Sequence, residues 1–246
     1  MRRAGVTARR DLAIAVAIWV VLSAIGVAVV LGVQILPVIA SREAEIVNGA
    51  FVVMTVASVP ILMLVVVPIV YSAFRFRASG EDETDGPPIH GHRAFEAGWV
   101  VVSFVLVIGL AAFGTIGLLE IRGGTDADLE VRAEATQWAW EFEYPGLGLH
   151  TTELVLPVDR RVRISIVSDD VLHSFYVPAF GIKQDAVPGR VTYLHVTPTV
   201  TGTYGAQCAE LCGLGHTKMV TGVAVVELSE FEAWAAEQLE QQSPQP

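Results

Sequence analysis

Three long apolar runs occupy the first half of the chain, roughly Leu12 to Ala40, Ala50 to Phe74 and Ala97 to Leu119. At about 1.5 Å of rise per residue, each can cross a hydrocarbon core of about 30 Å as a helix. Buried core helices of soluble proteins rarely reach that length without a charge. From Asp128 onward the pattern changes to short alternating segments. In "VRISIV", Val162, Ile164 and Ile166 fall on one face and Arg163 and Ser165 on the other; "RVTYLHV" and "TGVAVVEL" read the same way, separated by Pro and Gly turns. Several short strands at this spacing predict an all-β sandwich or Greek-key barrel. A last amphipathic helix is predicted over about Ser229 to Gln241, with the serine as its cap. The expected architecture is a membrane α-helical hairpin, of two or three transmembrane helices, followed by an all-β sandwich.

Positive charge orients the apolar runs. Arg2, Arg3, Arg9 and Arg10 precede the first, Arg42 alone lies between the first and second, and Arg75, Arg77 and Arg93 lie between the second and third. Positively charged loops stay inside, so the N-terminus and the 75–96 loop are expected inside and everything after Leu119 outside. The first run also fits a signal sequence, with small residues near Ala40 as a cleavage region, although its apolar length exceeds the usual 7–15 residues or so. The expected divisions are 1–45 (transmembrane helix or signal), 46–120 (helix hairpin) and 121–246 (exported β-domain with a short C-terminal helix). The loop segment "ASGEDETDGPPIHGHR" is polar and rich in Gly and Pro, a solvated connector in which His90 and His92 are read as solvated. "QQSPQP" is a frayed tail.

Composition agrees, since 52% apolar residues is high for a soluble protein of 246 residues. Charge adds an asymmetry. Residues 1–119 hold eight acidic and eight basic side chains, whereas 120–246 hold 18 and eight, so the formal charge of −10 resides in the exported domain. An acidic face attracts a basic partner at low ionic strength. With Lys183 and Lys218 the only lysines, it equally fits adaptation to salt.

Both cysteines of the chain fall in "CAELCGLGHTKM", Cys208 to Met219. Cys212, His216 and Met219 at short spacing, with His173 about 40 residues earlier, make one thiolate, two imidazoles and a thioether, a set suited to blue copper. Cys208 is then one ligand too many, unless the two thiolates bridge two coppers, each completed by one histidine. A Cys208–Cys212 disulfide leaves His216 and Met219 unexplained and closes too short a loop to stabilise much. The C-x3-C-x3-H-x2-M spacing is not that of a zinc finger, and C-x-x-C-H for haem attachment is absent.

"DDVLHSFYVPAFGIKQDAVPGR" (Asp169 to Arg190) together with "GAQCAELCGLGHTKM" (Gly205 to Met219) resembles subunit II of the haem–copper cytochrome c oxidases, whose exported domain is a cupredoxin carrying the binuclear CuA centre. The resemblance covers the last two membrane runs and nearly all of the β-domain. It implies that Cys208 and Cys212 bridge the coppers, that His173 and His216 bind one each, and that Met219 and the backbone carbonyl of Glu210 are axial. It also implies that the Glu210 side chain binds a magnesium ion shared with subunit I. "TQWAWEFEY" is similar to the segment whose first tryptophan receives the donor's electron, which makes Trp138 the entry residue; unaided, Trp138 and Trp140 lie two apart on one strand face and read as core or interface aromatics. The family's tyrosine between them is Ala139 here. "EAGW" resembles the start of the family's second helix, where Glu96 lies at the inside mouth of a proton path; the helix dipole alone also favours a carboxylate there.

The expected function is therefore subunit II of cytochrome c oxidase in the cell membrane, multi-pass, with its copper domain on the outer face. It would take electrons from a soluble carrier, cytochrome c or a blue-copper protein, and pass them to haem in subunit I, where oxygen is reduced to water and protons are translocated. Subunits I and III, membrane lipid and the carrier are the expected partners, with no nucleic acid. Two rivals stand beside it: the CuA subunit of a nitric oxide reductase, and a copper-free structural subunit II of a quinol oxidase, which would lack the ligand set.

Overall fold

The computed structural model describes residues 2–33, 38–77, 91–124 and 126–242, with side chains from residue 7 onward. Most of the polar connector between the second and third apolar runs, residues 78–90 with His90, and the last four residues of the tail lie outside the described residues. The chain divides into two compact units, Met1–Ile35 with Gly49–Ile116, and Leu36–Asn48 with Gly117–Pro246.

Three helices account for the first unit: α1 (Arg2–Gly32), α2 (Arg42–Arg75) and α3 (Arg93–Arg122). Among the described residues these three are long and apolar enough to cross a membrane, and only 6%, 6% and 0% of their apolar windows is buried within the chain. Such uncovered apolar surface is stable only against lipid or a partner's helices. Polar contacts join α1 to α2. Asp11 is buried and accepts from Arg75 Nε and Tyr71 Oη, each at 3.1 Å. Further along, the Trp19 indole donates to the Pro60 carbonyl at 2.8 Å. The first apolar run is not helical to Ala40 as expected. Its helix ends at Gly32, and Ala40 belongs to the second unit, where its N–H donates to the Ala179 carbonyl and its own carbonyl accepts from Thr199 N–H. Hydrogen bonding to the β-domain overrides helix propensity there.

Among the described residues the second unit is a sandwich of ten strands: β1 (Leu129–Thr136), β2 (Ala139–Tyr144), β3 (Leu149–Thr151), β4 (Leu154–Pro157), β5 (Val162–Ser168), β6 (His173–Val177), β7 (Ile182–Ala186), β8 (Thr192–Val196), β9 (Gly202–Cys208) and β10 (Val220–Val226). They form two five-stranded sheets, ordered β3-β2-β1-β5-β8 and β4-β10-β9-β6-β7. The alternation dictates the packing: Val131, Ala133 and Ala135 of β1, Ile164 and Ile166 of β5, and Trp140, Phe142 and Tyr144 of β2 all point inward. The linker before α2 is part of this unit. Ser41 is fully buried, caps α2 by accepting from Ala44 N–H and donates to the Phe180 carbonyl, while buried Glu43 accepts from Thr197 N–H. Gly181, at φ +69°, lies so close that a Cβ there would meet Ala44 Cα at 2.9 Å.

The last helix, α4 (Leu228–Gln242), starts one residue before Ser229, so that serine is not its cap. Glu227 takes the place, its carbonyl accepting from Phe231 N–H and its N–H donating to the Glu230 carboxylate. Helix α4 buries Phe231 against Tyr144, whose fully buried hydroxyl donates to the Val155 carbonyl at 2.9 Å and accepts from Val155 N–H at 2.8 Å. Tyr144→Phe strands both peptide groups of Val155 in the core, at a cost of about 1–3 kcal/mol. The variant is expected to unfold at a lower urea midpoint with an unchanged slope.

Candidate metal centre

Pairing of β6, β9 and β10 assembles one end of the second sheet. Val220 lies opposite Gln207 in the β9–β10 register, and Cys208 N–H donates to the Met219 carbonyl, so the chain from Ala209 to Lys218 closes as a loop over the sheet end. Phe175 lies opposite Cys208 and Ala209 N–H donates to the Ser174 carbonyl, which sets His173 beside the loop's first cysteine.

The side chains converge. Cys208 Sγ lies 3.8 Å from Cys212 Sγ, 3.8 Å from His173 Nδ1 and 3.2 Å from the Glu210 carbonyl oxygen. Cys212 Sγ lies 3.6 Å from His216 Nδ1 and 3.8 Å from Met219 Sδ. His173, Cys208, Cys212 and Met219 are buried, and ligand atoms of His173 and the two cysteines all fall within 4.8 Å of one another. Both cysteines are free, so the disulfide alternative is not formed. Burial and the neighbouring Cys208 thiol push Cys212 up to about 11, so a bound cation has a proton to displace there.

A second layer holds this cage. His173 Nε2 donates to Asp170 Oδ1 at 2.8 Å. The carboxylate only accepts, so the ring proton sits on Nε2 and the Nδ1 lone pair faces the sulfurs. Burial alone would raise Asp170, but bonds from His173 and from the N–H groups of Val171 and Gln137 hold it below the ordinary carboxylate range. The pattern of apolar and soft residues gave no sign of Asp170 or Gln137; the one available signal was an acidic pair three and four residues before His173.

Trp138 stands in the turn between β1 and β2, not on a strand face with Trp140. The two face different surroundings: Trp140 is buried, with its ring edge-on to Phe175 at 5.1 Å and to His173 at 6.3 Å, whereas Trp138 is 41% exposed. The Trp138 indole donates to the Cys212 carbonyl at 3.3 Å and lies flat on the loop. A Cβ at Gly215 would meet its Cδ2 at 2.3 Å. Gly215→Ala is therefore expected to lift the indole off the loop, with more efficient quenching of Trp138 fluorescence and no change in how much metal is bound. Glu96 belongs to the other unit, on the first turn of α3, where its exposed carboxylate accepts from His92 N–H at 3.0 Å and closes the helix N-terminus.

The chain is similar to known proteins of one family. Residues 147–226 match the family model described as cytochrome C oxidase subunit II, periplasmic domain. The cytochrome c oxidase subunit 2 of Synechocystis sp. is 30% identical over 82% of this chain and 75% of its own length. That of Thermostichus vulcanus is also 30% identical, over 81% and 77%. A crystal structure of the periplasmic domain of subunit II of cytochrome oxidase from Bradyrhizobium japonicum is 32% identical and aligns with 48% of this chain and 98% of its own, at a TM-score of 0.46. With two free cysteines facing two imidazoles at the end of a β-sandwich, and relatives that align over about four-fifths of its length, the chain belongs to the cytochrome c oxidase subunit II family.

Proposed function

We propose that this chain is the electron-entry subunit of an oxidase, holding a binuclear copper centre between Cys208 and Cys212. The observation that carries this is the donor set itself: two unbonded, buried thiols 3.8 Å apart, each beside one imidazole Nδ1, with a thioether at the second and a peptide carbonyl at the first. Soft sulfur and imidazole donors of that number fit copper, and methionine is a poor ligand for zinc. Cys208, Cys212, His173, His216 and Met219 would hold the copper, which when bound would supply a one-electron store. Asp170 fixes the His173 tautomer, the sandwich keeps the other donors in place, and burial of four of the ligand residues excludes water.

The chain's own residues fill the remaining roles. Trp138 is the entry residue: its exposed indole faces a carrier on one side and touches the Cys212 carbonyl on the other. The carrier is a cytochrome c or a blue-copper protein. The Glu210 side chain helps to hold a magnesium ion at the boundary with subunit I, which carries the haems and reduces oxygen to water with proton translocation, and subunit III joins the assembly. Glu96, at the inner end of α3, feeds a proton path into subunit I. All three long helices span the cell membrane, with α1 retained; the buried Asp11 and its bonds to Arg75 and Tyr71 support that, because a removed leader needs no such partners. The β-domain is on the outer face. A quinol oxidase subunit would have no use for the donor set, whereas a nitric oxide reductase would differ only in its catalytic partner.

The test is to purify the subunit with its membrane partners. The complex is expected to contain a haem-bearing large subunit and to take up oxygen when given a reduced c-type cytochrome. Reduction of nitric oxide without oxygen uptake would favour the reductase, and oxidation of quinol by a copper-free complex would overturn the proposal.

A further inference from the structure

Gln137 precedes Trp138 in the same turn and is held at both ends. Its backbone N–H donates to Asp170 Oδ2 at 2.7 Å, and its side-chain Nε2 donates to the Cys212 carbonyl at 2.7 Å. That carbonyl is the acceptor the Trp138 indole also uses, at the longer distance of 3.3 Å. Nothing else described for the indole is directional: it rests on Gly213 and Gly215, which offer a flat backbone surface and no side chain to stop it sliding. With two-fifths of its surface in solvent, the ring depends on the turn for its place.

We infer that Gln137 is a positioning residue for electron entry, a strut that fixes the Trp138 indole against the Cys212 carbonyl. This rests on the function proposed above. Bond strength and leverage give the amide this role. The amide makes the shorter bond to the shared oxygen, so it sets where that carbonyl points and how far the turn stands from the loop. Through Asp170, the same turn is tied to the carboxylate that orients His173, so one residue connects the entry indole to both halves of the donor set. The step it serves is a bare electron transfer: the carrier loses one electron, the copper pair gains one, and no proton or bond moves. Its rate depends on how the indole sits, because the electronic coupling between carrier and centre weakens as the ring moves away from the loop.

The strut is tested with Gln137→Leu and, as a second variant of similar length, Gln137→Met, both in the purified complex. Rapid mixing with a reduced c-type cytochrome is expected to give a roughly 10-fold slower electron-transfer step at saturation, with little change in the concentration giving half-maximal rate and an unchanged copper spectrum. In the metal-free protein, the Trp138 contribution to fluorescence, taken as the difference from Trp138→Phe, is expected to be quenched more readily by acrylamide. Parent-like rates and quenching in both variants would overturn the inference. So would an altered copper spectrum, which would mean that Gln137 acts on the cage and not on the indole. If Trp138→Phe itself transfers electrons at the parent rate, the entry role of Trp138 fails, and the quenching measurement still decides whether Gln137 holds the ring.

Discussion

Cys212→Ser is expected to destroy the centre. Cys212 is the hub of the donor set, with the Cys208 sulfur, the His216 imidazole and the Met219 thioether all within 3.8 Å of its own sulfur. A serine oxygen at that position is a hard, neutral donor with no anionic sulfur to share between two soft ions, and its hydroxyl is left in a buried site among groups that do not satisfy it. Loss of an outer hydrogen bond to a metal ligand costs roughly 10–100-fold in affinity or activity; loss of a bridging ligand should cost more than that. Metal analysis of the purified variant should find the copper content of the complex reduced, and donor-driven oxygen uptake should fall to background. Full copper content with near-normal uptake would mean that Cys212 does not bridge.

Trp138→Phe is expected to have the second largest effect, by a different route. Phenylalanine has no N–H for the Cys212 carbonyl and covers less of Gly213 and Gly215, so the ring loses both its tether and part of its contact. Electron entry should slow by more than in the Gln137 variants, because the ring itself is replaced and not only its support. The copper spectrum should stay as it is, because Trp138 touches the donor set only through a peptide oxygen. This separation of rate from spectrum distinguishes the two variants: one removes the centre, the other the way into it. Entry at the parent rate would remove Trp138 from the path.

Much of the fold was legible because burial imposes a period. Val162, Ile164 and Ile166 alternate with polar neighbours and became the inward face of β5, and apolar runs too long for a soluble core became α1 to α3. What was not legible is what tertiary contacts decide. The first run reads as apolar to Ala40, yet the β-domain claims Ala40 by two backbone hydrogen bonds. Trp138 and Trp140 look equivalent two residues apart, and only the turn after β1 separates an exposed ring from a buried one.

The donor set divides in the same way. Two cysteines, two histidines and a methionine announce soft-metal chemistry by type and spacing. What Glu210 places beside the Cys208 sulfur is a peptide carbonyl, which any residue carries, so no side-chain pattern marks it. Asp170 and Gln137 are ordinary polar residues in the sequence. They matter because a carboxylate that only accepts fixes one imidazole, and an amide that reaches 2.7 Å from a loop carbonyl fixes one turn.

The most direct measurement is electron paramagnetic resonance of the copper-loaded complex. If Cys208 and Cys212 bridge two coppers, one unpaired electron is shared between them, and the hyperfine pattern should be that of two equivalent copper nuclei, lost in Cys212→Ser and kept in Trp138→Phe. A pattern from a single copper nucleus would contradict the binuclear centre on which the account rests.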